Sequence, residues 1–132
     1  MNLFLIIIST ILGLFVLFQI YIFLKSKMSV GNSLPFEKMN SNLATQIKNK
    51  KSVLYFYSPT CHNCKVQTPI IEKLKKEFAS IISINIAEDL ETAKLFNVMG
   101  TPSILFLDNN KIAGFYVGVR NESFIRNKLA GN

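Results

Sequence analysis

Cysteine and histidine are scarce in this chain: Cys61, Cys64 and His62 are the only ones in 132 residues. A structural zinc site takes four ligands, and here one histidine lies between two neighbouring cysteines with no fourth partner, which argues against zinc. A purely structural disulfide between residues three apart would close too small a loop to stabilise much. Charge is missing altogether from Leu3 to Leu24, and no Lys or Arg precedes that stretch. All 15 basic and 8 acidic residues lie beyond residue 24, so the formal charge of +7 belongs to the rest of the chain. Lys48, Lys50, Lys51, Lys73, Lys75 and Lys76 fall on solvated helix faces and ends, without the interleaved aromatic platform of a single-strand binder, so no nucleic-acid partner is expected.

What is present is organised around Cys61-His62-Asn63-Cys64. Val53 to Tyr57 is a run of β-branched and aromatic residues, a buried strand ended by Ser58-Pro59-Thr60. Val66, Ile70, Ile71, Leu74 and Phe78 then recur at helical spacing, with Lys65, Glu72, Lys73, Lys75, Lys76 and Glu77 largely on the other side. Cys61 therefore stands at or just before a helix N-terminus, where unpaired N–H groups and the macrodipole favour an anion. A thiolate is such an anion, so Cys61 is expected to have a lowered pKa and to be the nucleophile and leaving group in thiol–disulfide exchange. Cys64, one turn deeper, is placed to resolve a mixed disulfide and is expected to be less exposed.

Strand, Cys-x-x-Cys opening a helix, Pro69 within that helix, Gly100-Thr101-Pro102 before a later strand, and the late Gly118 together resemble the thioredoxin family. The resemblance covers about residues 34–132. It implies a thioredoxin fold and an enzyme, a protein thiol–disulfide oxidoreductase whose redox centre is the Cys61–Cys64 disulfide, with no cofactor and no metal. It implies protein dithiol or disulfide substrates and a redox partner protein. It also implies a cis Thr101–Pro102 bond facing the cysteines, the Gly100-Thr101-Pro102 element binding an extended substrate segment as an added strand.

The departures from the family pattern bear on mechanism. Common thioredoxins carry Trp-Cys-Gly-Pro-Cys, a buried acid six residues before the first cysteine and a lysine near that acid. Here those places hold Thr60, His62-Asn63, Tyr55 and Ser83. Without a buried carboxylate, proton removal from Cys64 falls to water, a backbone group or another residue. Tyr55 reads as a core residue with a wet hydroxyl. His62 and Asn63 are the candidates for redox tuning: a protonated His62 stabilises the Cys61 thiolate and makes the disulfide more oxidising. In oxidant and isomerase branches the histidine sits just before the second cysteine, where this chain has Asn63. The alternative to an enzyme is a module that binds a soft metal such as Cu(I) through the two thiolates.

Leu3 to Leu24 is broken only by Ser9, Thr10, Gly13 and Gln19. Its 22 residues suffice, at about 1.5 Å each, for a bilayer core of about 30 Å. The run exceeds the apolar region of a signal peptide, its n-region is uncharged, and Lys25-Ser26-Lys27-Met28 is no small-residue cleavage site, so an uncleaved single-pass anchor is expected. Lys25 and Lys27 directly after the span place the following domain on the cytoplasmic side of a bacterial plasma membrane. The resemblance pulls towards the extracytoplasmic face, where many tethered relatives in bacteria work.

The expected organisation is a transmembrane anchor and flank at 1–28, a short linker at 29–33 and a thioredoxin-like domain at 34–132. Within the domain a short first strand is expected at Leu34 and Phe36, and a helix capped by Asn40 or Ser41. Strands at Ile81 to Ile86 and Ser103 to Leu107 follow, with a helix from Glu88-Asp89 to Phe96 between them. A hairpin turn at Asp108-Asn109-Asn110 leads into Lys111 to Val117, and Asn121 caps a last helix. That order makes an α/β fold, a central mixed sheet flanked by helices on both faces.

Overall fold

Alternation along strand β1, Ser52–Tyr57, decides the layering. Successive side chains of a strand point to opposite faces. Leu54 and Phe56 enter one apolar cluster, with Ile47, Ala93 and Phe96. Val53 and Tyr55 enter the other, with Ile71, Leu74 and Ile125. A computed structural model describes residues 2–131, the side chain of Ser26 aside. Met1 and Asn132, the outermost residues of the expected anchor and domain, lie outside the described residues.

The strands β2 (Ile81–Asn85), β3 (Ser103–Asp108) and β4 (Lys111–Val117) complete a four-stranded sheet of order β2-β1-β3-β4. β1 pairs in parallel with β2 and antiparallel with β3, and β3 pairs antiparallel with β4. The sheet is mixed, as expected. Helix α1 is Leu3–Met28, α2 is Ser41–Ile47, α3 is His62–Lys75, α4 is Leu90–Leu95 and α5 is Glu122–Ala130. The Ile47 of α2 and Ala93 of α4 reach one face of the sheet, and the Ile71 of α3 and Ile125 of α5 reach the other. Asn40, Asp89 and Asn121 cap their helices through side-chain oxygens, each accepting a backbone N–H of the first turn. Asn109 and Asn110 both take positive φ, 46° and 67°, the conformation that a two-residue hairpin turn between β3 and β4 requires.

The expected first strand is a correction. Pro35, at φ −82° and ψ 64°, turns the chain and lacks an N–H, so Phe36–Lys38 forms a 3₁₀ turn. Only Ser33 makes an antiparallel bridge, to Lys111. The stretch before it, expected as a linker, lies along the edge of β4: the Gly31 N–H donates to the Ile112 carbonyl at 2.7 Å, the Ile112 N–H to that of Asn32 at 3.2 Å, and the Leu34 N–H to that of Asn110 at 2.9 Å.

α1 is a single helix of 26 residues, about 39 Å long at 1.5 Å per residue. Its apolar side chains, among them Leu5, Ile8, Leu12, Phe15 and Phe18, are exposed all along it. The domain does not cover this helix, which is long and apolar enough to cross a bilayer.

Candidate active site

The turn after β1 sets up the site. The Cys61 N–H donates to the Ser58 carbonyl at 3.1 Å, which closes the Ser58-Pro59-Thr60 turn and delivers Cys61 to the N-cap of α3. Cys61 has extended backbone there, φ −77° and ψ 118°. Its sulfur takes the place of the usual capping oxygen: the Cys64 N–H donates to Cys61 Sγ at 3.1 Å. The two cysteines form a disulfide. Cys61 is half-buried, Cys64 is buried, and His62 and Asn63 between them are exposed. Pro69 lies inside α3, where it cannot donate to the carbonyl one turn back. It lines, with Tyr57, Ser58, Lys65 and Thr68, an open groove of about 350 Å³ beside both sulfurs.

The chain between α4 and β3 brings its own backbone against Cys61. The Thr101–Pro102 peptide is cis, and the Thr101 carbonyl oxygen lies 3.4 Å from Cys61 Sγ. The Gly118 N–H donates to the Pro102 carbonyl at 2.8 Å, so the end of β4 holds that loop in place. Gly118 itself has φ +91°, a conformation natural to glycine and strained for other residues. Thus Cys61, Cys64 and Thr101-Pro102, 40 residues apart in sequence, meet at one end of the sheet. Gly100 is half-exposed one residue back from the contact.

The expected wet hydroxyl of Tyr55 is a further correction. Its side chain is fully buried, and its Oη is 2.8 Å from Thr68 Oγ1. A phenol that deep must find a partner within the protein. Thr68 stands four residues after Cys64 and so on the same face of α3, a spacing already visible in the sequence. Ser83, paired in register with Tyr55, receives the Lys75 ammonium at 3.4 Å. The places of the family's acid and lysine thus hold hydroxyl groups. Gln67, also fully buried, was missed by sequence reasoning: its Oε1 accepts the Arg120 N–H at 2.6 Å and ties the segment after Gly118 to α3. On the outer side, Arg126 of α5 bridges Glu77 and Glu122, and Lys73 joins Glu122. The Arg126 and Lys73 cations hold both carboxyl groups below their ordinary range.

Burial holds the Tyr55 phenol above its ordinary value of 10.0. A raised value means that the stability it contributes is complete below pH 10 and is lost as pH rises through the folded-state value. Tyr55→Phe is therefore expected to cost about 1 kcal/mol at neutral pH through the lost hydrogen bond, and to lose less further stability than the parent above pH 10. Denaturant unfolding of both chains from pH 7 to 11 checks this; parallel curves would refute it.

The only thiol and imidazole groups in the chain are those of this motif, and among the described residues no group of three or more His, Cys, Asp and Glu converges. A disulfide with one half-exposed sulfur, seated at a helix N-terminus and open to a groove, can exchange with an incoming thiol.

Comparison with known proteins agrees with this chemistry. The thioredoxin family model matches residues 35–131. The chain is 27% identical over 101 residues to thioredoxin of Buchnera aphidicola subsp. Acyrthosiphon pisum, covering 73% of this chain and 94% of that one. It is 30% identical over 87 residues to thioredoxin of Buchnera aphidicola subsp. Baizongia pistaciae, covering 63% and 80%. Reduced Schistosoma mansoni thioredoxin pre-protein superposes with a TM-score of 0.59 at 23% identity, over 67% of this chain and 85% of that one. Helix α1 precedes the matched region.

Proposed function

The chain belongs to the thioredoxin family, a family of thiol–disulfide oxidoreductases, and we propose that it is a membrane-tethered member acting on protein substrates through Cys61 and Cys64. The observation that carries this reading is the Cys61–Cys64 disulfide capping α3 with Cys61 Sγ 3.4 Å from the Thr101 carbonyl. In the reduced protein the Cys64 N–H and the N-terminal end of α3 favour a thiolate on Cys61. An extended substrate segment lies beside Gly100-Thr101-Pro102 and presents its disulfide to that thiolate. Attack forms a Cys61–substrate mixed disulfide and releases one substrate sulfur as a thiolate. Cys64 then attacks Cys61 Sγ, the second substrate sulfur leaves, and the protein returns to the disulfide state. Two electrons and two protons pass to the substrate, and a dithiol redox partner restores them to the protein. Run in reverse, the same steps oxidise a substrate dithiol, and the reduction potential of the pair sets the direction. Exposed His62 and Asn63 tune that potential.

Helix α1 anchors this domain as an uncleaved span, residues 1–28 forming anchor and flank, 29–33 the connection and 34–132 the catalytic domain. Lys25 and Lys27 at its end support a domain on the cytoplasmic face of a bacterial plasma membrane. The full chain, extracted in mild detergent and equilibrated against glutathione, is expected to titrate as one two-electron couple that disappears in Cys61→Ser. A pair inert to dithiothreitol would contradict the redox assignment.

A further inference from the structure

The catalytic domain does not hang from its anchor on a loose tether. Immediately after α1 the chain is hydrogen-bonded along β4, through Gly31, Asn32 and Leu34, and buried Ser29 stands between helix and strand edge. The last turns of α1 also face the domain directly. Gln19, Ile22 and Lys25 line a mainly apolar groove of about 250 Å³ whose opposite wall includes Met99, Gly100 and Val117. A bilayer core of about 30 Å takes up roughly 20 residues of helix, so in a helix starting at Leu3 the groove residues Ile22 and Lys25 fall at the membrane edge. The Lys25 ammonium lies 5.8 Å from the centre of the Tyr21 ring, a cation and an aromatic ring of the kind that mark that edge.

The wall of this groove is also the substrate side of the redox site. Gly100 is next to Thr101, about 3.8 Å between their Cα atoms, and the Thr101 carbonyl is 3.4 Å from Cys61 Sγ. Met99, Val117 and Val119 add exposed apolar surface there, at 55%, 40% and 37%. The groove beside the membrane-spanning helix thus adjoins, through Gly100, the Thr101 carbonyl that touches the reactive sulfur. We propose, on the basis of the tethered reading above, that the site acts on cysteines directly flanking the membrane spans of integral membrane proteins, which reach it laterally along the bilayer. Such a segment is held near the bilayer surface, as the site is, and its apolar residues match the exposed Met99 and Val117 side chains. A site fixed at that height meets membrane-borne sulfurs at a high effective concentration and has no such advantage for distant ones.

The test uses the full chain, reduced with dithiothreitol and freed of excess reductant, in phosphatidylcholine vesicles with a synthetic single-span peptide carrying an intramolecular disulfide. In one peptide the disulfide directly follows the span. In the other it lies about 20 residues further out on a Gly/Ser chain, a mean reach of roughly 25 Å. Each turnover breaks the peptide disulfide, forms the Cys61–Cys64 disulfide and leaves two peptide thiols, which are counted with a thiol reagent. The near disulfide is expected to react at least about tenfold faster. A Gly/Ser insert of about 15 residues between Met28 and Ser29 frees the domain while keeping its bonds to β4, and is expected to abolish that preference. Equal rates for the two peptides in the parent chain overturn the inference, as does a preference that survives the insert. Flotation of the vesicles separates this from failure of the anchor: a chain that does not float overturns the tethered reading, whereas one that floats and shows no preference overturns the inference alone.

Discussion

In Cys64→Ser the protein is expected to accumulate as covalent adducts with its substrates, linked through Cys61 and released by dithiothreitol. The reason is geometric. Cys61 is half-buried beside the groove and the Thr101 carbonyl, whereas Cys64 is buried at 2% exposure, so the sulfur that meets a substrate is Cys61. The sulfur that resolves the adduct is Cys64, held three residues away on the first turn of α3. Its attack is intramolecular, and replacing it by an external thiol forfeits a large effective molarity. Turnover is expected to fall at least about 10³-fold in Cys64→Ser, with adducts visible on non-reducing gels. Cys61→Ser is expected to be equally inactive but free of adducts. If instead Cys61→Ser accumulates the adducts and Cys64→Ser does not, the assigned roles are reversed. If neither variant forms them, covalent exchange at this pair is excluded.

The second large effect is on the fold that holds the pair. Phe56→Ala is expected to destabilise the domain by about 3–5 kcal/mol, the usual cost of emptying a buried aromatic site. Phe56 is fully buried in strand β1 and packs against Phe96, ring centres 6.0 Å apart, with Leu54, Ile84 and Leu105 in the same cluster. For a domain of about 100 residues each kcal/mol moves the melting temperature by about 4–8 °C, so the drop is expected to exceed about 12 °C. Val66→Ala, at an exposed position of α3, is expected to stay within about 0.5 kcal/mol and serves as the control. Thermal melts of the three chains under reducing and oxidising conditions check this. A Phe56→Ala melt within a few degrees of the parent would show that this face of the sheet does not limit stability.

Much of the molecule is legible in its sequence. Local signals are sufficient wherever one residue type acts on its own neighbours: Asn121 as a cap, Asp108-Asn109-Asn110 as a turn, and Cys61 at the mouth of a helix. A continuous run of β-branched and aromatic residues suffices for β1, and apolar residues at helical spacing suffice for α3. The first strand was misread because Leu34 and Phe36 alternate correctly, yet Pro35 between them bends the chain and offers no donor. That the short polar, glycine-containing stretch after α1 lies along β4 is not legible in the sequence, because its N–H and carbonyl groups find partners only where a strand edge is there to receive them.

The sequence by itself determined the chemistry: two cysteines three apart, placed between a β-branched and aromatic run and a helix marked by its apolar spacing, and an uncharged run of 22 residues long enough for a bilayer. The tertiary structure alone decided what surrounds that chemistry. It set the Thr101 carbonyl against Cys61, gave the buried Tyr55 hydroxyl to Thr68, pinned the segment after Gly118 through Gln67, and fixed the end of α1 against Met99 and Val117. Caps, turns and helix faces involve residues within a few positions of one another, so their pattern is written in the chain. Each of these other contacts joins groups whose meeting depends on how the whole sheet is ordered, or on how a helix end lies against a strand edge, and no local pattern encodes that.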